Sequence, residues 1–242
     1  MRLRVDLIPK GDYRDVVVII DVMRSCTVAP ILFERGLADL YLSPSLRSAR
    51  HLAKSRNLLL LGERRGLPLE GFNYGNSPAE FLQADLTGKS AVMVSENAPK
   101  SLLVAGQARH VFLGGLYNAD AVVTRAFSVA QEEIALVCCG FGDLEDLDDT
   151  FAAGYLAGRA KQAHRQLDPK GATLMAISLL KAFPNPLDAL WQSRAGHYLR
   201  TLNLESDIGV CALISMTDRV PELLETERVE AGRVFRFAPL TR

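Results

Sequence analysis

Five short apolar runs, each closed by glycine or a polar cluster, punctuate the first 140 residues: DVVVIID at 15–21, NLLLLGE at 57–63, SAVMVSEN at 90–97, HVFLGG at 110–115 and EIALVCCG at 133–140. Runs this short, rich in β-branched residues and bounded by turn formers, predict buried strands. Between them, helical patterns are expected at 27–36, 45–55, 78–83, 99–106, 118–128 and 144–167. Strands alternating with helices predict an α/β protein whose sheet is mostly parallel and covered on both faces. In such sheets ligands bind beyond the carboxyl ends of the strands, where helix N-termini converge. After residue 168 the pattern changes to a turn at 169–171, an apolar helix broken by FPNP, an amphipathic helix over about 187–202, and a tail (IGVCALIS, RVPELL, GRVFRFAP) of short strands and connections. No linker, repeat or low-complexity run separates the parts. The chain is expected to form a single domain over 1–242, with a C-terminal lobe from about 168 as the one subdivision.

Composition changes this picture little. With 242 residues, 48% apolar and 23% charged, a sizeable core is available and disorder is excluded. Lys plus Arg equals Asp plus Glu at 28 each, so nothing in the global balance draws the chain to nucleic acid or an anionic membrane. No apolar run approaches the roughly 20 residues that span a bilayer. The charged opening MRLRVDLIPKGDYRD does not read as a signal peptide, and a cytoplasmic location is expected. The cysteines at 26, 138, 139 and 211 lack CxxC spacing and read as reduced, buried thiols. Cys26 stands apart because it lies among polar groups.

The strand ends carry the candidate chemistry. Asp21, Arg24, Ser25 and Thr27 follow the first run. They read either as an Asp21–Arg24 ion pair capping a helix, or as a carboxylate for Mg²⁺ or for attack on phosphorus beside a guanidinium and hydroxyls that grip phosphate. The second run empties into LGERRGLPLEGFNYGNSP, with Glu63, Arg64, Arg65, Asn73, Asn76 and Ser77 among four glycines; Ser77-Pro78 is a good helix cap. Ser95, Glu96 and Asn97 end the third run, and Asn118 opens a helix after the fourth. Glu145, Asp146, Asp148 and Asp149 follow the fifth. Asp148 and Asp149 read as a solvated first turn, whereas Glu145 and Asp146 lie near enough to the strand end to reach a metal. No nucleotide loop, nucleophile elbow or zinc motif is present, and the four histidines have no metal spacing. Carboxylates, arginines and small amides at successive strand ends suit a divalent cation and a multiply charged oxyanion.

In order and spacing, IIDVMRSCT, GERRGLPLEGFNYGNSP, SEN, GGLYNA, CGFGDLEDLDDTFAAG and SRAGHYL resemble the 2-phosphosulfolactate phosphatase family over about residues 5–221. The resemblance implies a three-layer α/β/α fold with a mostly parallel or mixed sheet. It also implies Mg²⁺-dependent hydrolysis of 2-phosphosulfolactate to 3-sulfolactate and phosphate, a setting in coenzyme M biosynthesis, and a small anionic phosphate ester as partner, with a homodimer left open. It puts Asp21, Arg24 and Glu63 in catalysis. Ser25, Thr27, Arg64, Arg65, Asn73, Asn76, Ser77, Asn97 and Asn118 would hold substrate, and Asp21, Glu145 and Asp146 the metal. Ser193, Arg194 and Gly196 follow from the tail. Where the family reads Thr-Asn-Gly-Thr, this chain has Glu96-Asn97-Ala98-Pro99. A carboxylate there bears on which second anionic group the substrate carries. The rival reading is a non-catalytic or regulatory anion-binding protein of the same fold.

Overall fold

In the computed structural model, which describes residues 1–229 and 232–240, all five apolar runs are strands: β2 (Val16–Ile20), β4 (Leu59–Arg64), β6 (Ser90–Val94), β7 (His110–Leu113) and β8 (Glu133–Cys138). Two strands that the pattern does not announce, β1 (Arg2–Asp6) and β3 (Asp39–Ser43), join them, with a short β5 (Leu67–Pro68) and a C-terminal hairpin of β9 (Val220–Val229) and β10 (Gly232–Leu240). The spatial order is β1-β8-β2-β7-β9-β10-β3-β6-β4-β5. Two parallel blocks, β1-β8-β2-β7 and β3-β6-β4, are thus joined through the antiparallel hairpin, and the sheet is mixed.

Strands buried on both faces need apolar residues at every position, and β2 shows the division. Val17 and Ile19 face a core shared with α1 (Ser25–Glu34), α3 (Pro78–Phe81) and α4 (Ala98–Ala105); Val16, Val18 and Ile20 face the opposite side with α5 (Ala119–Val129) and α6 (Leu147–Ala163). Helix α2 (Leu46–Arg56) covers the β3-β6 half through Ala49, Leu52 and Ala53. Helices therefore cover both faces of the sheet, the expected three-layer α/β/α arrangement. The remaining helices are α7 (Gly171–Ala182), α8 (Pro186–Gln192), α9 (Arg194–Thr201) and α10 (Glu205–Cys211). None of the described helices is long and apolar enough to cross a membrane.

Three expectations are corrected here. The helix expected over 187–202 is two helices. Ser193 leaves helical geometry at ψ 161°, its hydroxyl donating to the Leu190 carbonyl (2.8 Å) and accepting from the Gly196 N–H (2.9 Å), so it caps α9. Part of the tail expected as strand, IGVC, is helical in α10. Finally, Asp148 and Asp149 are not a solvated turn: both are buried at 3% exposure. Asp149 accepts from the N–H groups of Val22 (2.8 Å), Cys139 (3.1 Å) and Gly140 (2.9 Å), tying the ends of β2 and β8 together.

Candidate active site

At the carboxyl ends of β2, β4, β6 and β8 lies a cavity of about 130 Å³, which is ample for several waters and smaller than a drug-sized pocket. Its polar lining includes Asp21, Arg24, Glu63, Asn76, Glu96 and Asn97. Asp21 follows β2, and its Oδ2 accepts from the Ala98 N–H (3.2 Å), so the start of α4 is pinned over the end of β2. Burial raises the affinity of this carboxylate for a proton, against the opposing pull of Ser25, the Ala98 N–H and Arg24. Ser25 lies one layer back, its hydroxyl 2.7 Å from that of Ser95.

Arg24 does not pair with Asp21. Its Nη1 donates to Oδ2 of Asp207 in α10 (2.8 Å) and its Nη2 to the Gly66 carbonyl (2.8 Å). The ion-pair reading of Asp21 with Arg24 is therefore corrected: the partner comes from the far end of the chain. Gly66 serves both sides of the site, since its N–H donates to Glu63 Oε2 (2.6 Å). Arg65 and Gly66, at φ 53° and 77°, form the turn from β4 to β5. The positive φ of Gly66 favours glycine there, while a Cβ would meet only side-chain atoms of Leu202 and Tyr198. Burial also pushes the Glu63 carboxyl up, reinforced by the charges of Glu96 and Asp21.

The loop after β5 folds back on β4, where Asn73 exchanges both backbone-type bonds with Leu60: its N–H donates to the Leu60 carbonyl and its Oδ1 accepts from the Leu60 N–H, each at 2.8 Å. That return delivers Asn76 to the cavity. Asn76 is 3% exposed and its Oδ1 has no hydrogen-bond partner. On the far wall Phe141 and Tyr198 meet with ring centroids 5.7 Å apart, and the Tyr198 hydroxyl donates to the Arg65 carbonyl (2.9 Å).

Of the residues singled out in the sequence, Asp21, Arg24, Glu63, Arg65, Asn76, Ser95, Glu96 and Asn97 line the cavity. The others have different partners. Thr27 is fully buried and donates to the Val22 carbonyl (2.9 Å). Arg64 alternates to the other side of β4 from Glu63 and is exposed. Asn73 is the β4 edge contact described above. Ser77 caps α3 by accepting from Glu80 N–H (3.2 Å) and donates to Asp207 Oδ1 (2.5 Å). Asn118 is fully buried, accepting from Gly115 N–H and donating to the Leu113 and Arg219 carbonyls. Glu145 is exposed, with its carbonyl accepting from Arg194. Asp146 spends its carboxylate on the N–H groups of Leu147 (2.8 Å), Arg194 (2.9 Å) and Ala195 (2.8 Å), capping α6 and holding α9. Gly196 is packed so that a Cβ would meet the Leu190 carbonyl at 1.9 Å. Cys26 is buried with its thiol pushed up by burial, and it donates to the Ile19 carbonyl, so it has no nucleophile's setting. All four cysteines are buried and free.

Asp207, Tyr198 and Phe141 escaped the sequence reading. Two of them lie inside motifs quoted for the resemblance, Phe141 in CGFGDLEDLDDTFAAG and Tyr198 in SRAGHYL, whereas Asp207 lies in none.

As to a cation, no group of three His, Cys, Asp or Glu among the described residues is already gathered to hold one. The donor chemistry nevertheless fits Mg²⁺: Asp21 and Glu63 are buried carboxylates, and Asn76, which lines the same cavity, has an amide oxygen with no hydrogen-bond partner.

Carboxylates and a clamped guanidinium around a small cavity at the strand ends define an α/β protein with a charged pocket where such sheets bind ligands. The family model for 2-phosphosulpholactate phosphatase matches residues 2–226. A probable 2-phosphosulfolactate phosphatase of Thermus thermophilus is 39% identical over 98% of this chain and 100% of its own length. Proteins of the same name from Deinococcus radiodurans (39% identical, 96% of this chain and 97% of its own) and Carboxydothermus hydrogenoformans (30%, 91% and 92%) are similar. The chain belongs to the 2-phosphosulfolactate phosphatase family, whose members are by name phosphoric monoester hydrolases.

Proposed function

We propose that this chain hydrolyses the phosphate monoester of a small 2-hydroxy acid, with 2-phosphosulfolactate as the first substrate to test and 3-sulfolactate and phosphate as products. The observation that carries the reading is the placement of Arg24, held from behind by Asp207 and Gly66, in one cavity with Asp21 and Glu63. In the reaction the ester P–O bond breaks, a P–O bond to water forms, and one proton passes from water to the leaving oxygen. A guanidinium has five N–H donors. With two committed to protein, Arg24 keeps others to meet the phosphate oxygens as charge redistributes over them. Asp21, Glu63 and the Asn76 Oδ1 would hold Mg²⁺, which neutralises phosphate charge when bound. Arg65 at the rim serves the second acid group, while the exposed Glu96 disfavours anions on its side of the mouth.

The test is phosphate release from 2-phosphosulfolactate, 2-phospholactate, 2-phosphoglycolate and 3-phosphoglycerate with Mg²⁺ and with excess chelator. Hydrolysis of the 2-phospho acids that stops on chelation is expected. Full turnover in chelator would remove the cation from the reading, and no release from any substrate would remove the activity.

A further inference from the structure

The mechanism above uses Arg24 but leaves open why a guanidinium beside two carboxylates does not simply neutralise them. Arg24 is 5% exposed and Asp207 is fully buried. A charge so deeply buried must find a counter-charge. Two alternatives are at hand, because Asp21 and Glu63 line the same cavity as Arg24. Asp207 outcompetes them through its own fixed place. Its Oδ2 accepts from Arg24 Nη1 (2.8 Å), while its Oδ1 accepts from the Ser77 hydroxyl (2.5 Å) and lies 3.4 Å from the Ala79 N–H at the start of α3. On the other edge, the Gly66 carbonyl takes Nη2 at 2.8 Å. Contacts at both terminal nitrogens fix the plane of the guanidinium.

We infer that Asp207 is a positioning residue for the hydrolysis: it holds Arg24 away from Asp21 and Glu63, so that the guanidinium stays free for phosphate and the carboxylates stay free for a cation, and Ser77 holds Asp207 in turn. This rests on the reading that Arg24 meets the phosphate. Without Asp207 the guanidinium would turn to Asp21, and one contact would then occupy the place of both partners. An isolated lysine could not be held in this way, since it lacks the planar fork.

The experiment compares Asp207→Asn, Ser77→Ala, Arg24→Lys and the double variant Arg24→Lys/Asp207→Asn by steady-state kinetics on 2-phosphosulfolactate with Mg²⁺, alongside binding of inorganic phosphate by calorimetry. Asp207→Asn is expected to lower kcat on the order of 10²-fold with KM changed less than about threefold, because the loss falls on stabilisation of the transition state. Ser77→Ala should show the same kcat-weighted pattern at about 3- to 10-fold. Since Asp207 acts through Arg24, the double variant should be no more than about threefold slower than Arg24→Lys alone. A folded Asp207→Asn within twofold of wild type in kcat, or losses that multiply in the double variant, overturns the inference. Should Asp207→Asn fail to fold, Ser77→Ala decides, and wild-type kcat there is an overturning result. If wild-type protein hydrolyses none of the substrates, the functional reading fails separately. Phosphate binding then decides on the positioning role: affinity lowered about tenfold by Asp207→Asn supports it. An unchanged affinity, or no phosphate binding by wild type, overturns it.

Discussion

Removing the Asp146 carboxylate distinguishes a cap from a metal ligand. Its two oxygens accept three backbone N–H groups, from Leu147, Arg194 and Ala195 at 2.8–2.9 Å, and the residue is 6% exposed. Hydrogen bonds to a charged group contribute about 1.5–3 kcal/mol each. Arg194 has a half-exposed side chain, and its N–H is the one best placed to find water instead, so two bonds are counted in full and Asp146→Ala should cost about 4 kcal/mol. For 242 residues the unfolding entropy is roughly 0.5 kcal/mol/K, which converts the loss to a fall in Tm of about 8 °C. Asp146→Asn keeps one acceptor and should lose about half of that. Because Asp146 holds the first turn of α9, which brings Ala195, Tyr198 and Leu199 to the cavity wall, turnover should suffer through KM. The Mg²⁺ concentration for half-maximal rate should stay within about twofold of wild type. Scanning calorimetry and a Mg²⁺ titration of phosphatase activity are the assays. A Tm within 2 °C of wild type together with a several-fold higher Mg²⁺ requirement would refute this and return Asp146 to the metal.

Burial raises the proton affinity of Asp21 and Glu63. As pH rises the unfolded carboxylates ionise first, so their contribution to stability is full below about pH 4 and is lost as pH climbs through the raised folded values. In chelator, Tm should therefore decline over that rise more steeply for wild type than for Asp21→Asn or Glu63→Gln, and Mg²⁺ should flatten the wild-type slope; equal slopes in all three proteins would rule out these carboxylates as the source. Arg24→Lys should lower kcat by on the order of 10²-fold, since lysine loses the fork, whereas Arg65→Ala should mainly raise KM, more for 2-phosphosulfolactate than for 2-phospholactate. Steady-state kinetics on both substrates checks the pair, and an Arg24→Lys enzyme equal to wild type would leave Arg24 a structural role only. Asn118→Ala should lower Tm by several degrees with KM within about twofold, because all its bonds are to backbone; a tenfold KM change would place it at the substrate.

What the sequence makes legible follows from how local each signal is. The five strands read from the sequence carry apolar residues in an unbroken run, and no helix or loop imitates VVVII between turn residues. Strand β1 is different: at the sheet edge it alternates Arg2 and Arg4 with Leu3 and Val5, a pattern too short and too charged to stand out. The split between α8 and α9 is invisible to periodicity, since apolar positions continue at helical spacing through Ser193 while the break is made by the hydrogen bonds of the Ser193 hydroxyl and by the Asp146 carboxylate, far upstream, accepting from the Arg194 N–H. Asp148 and Asp149 looked like an acidic first turn because that is what a helix N-terminus favours. Asp149 is instead buried because Val22, Cys139 and Gly140 converge on it from two other strand ends.

The same distinction separates the parts of the site. Asp21 and Asn97 sit just beyond apolar strands and Glu63 at the polar end of one, where a polar group has an ordinary explanation only if it meets a ligand or a partner, and all three line the cavity. Ser77 and Asn118 sit where a helix begins, and there a cap explains the residue as well as a substrate does; Ser77 is a cap and Asn118 braces backbone. Thr27 and Asn73 likewise satisfy backbone groups of their own neighbourhood. Asp207 belongs to neither class. It lies in a tail helix, outside every motif that carries the resemblance. Its meaning appears only when α10 is brought against the starts of α1 and α3, where a buried guanidinium needs an anion that is not one of the two facing the cavity. A site that needs opposite charges side by side without their neutralising each other must restrain them, and here the restraint on Arg24 comes partly from the motif, through the Gly66 carbonyl, and partly from α10, through Asp207.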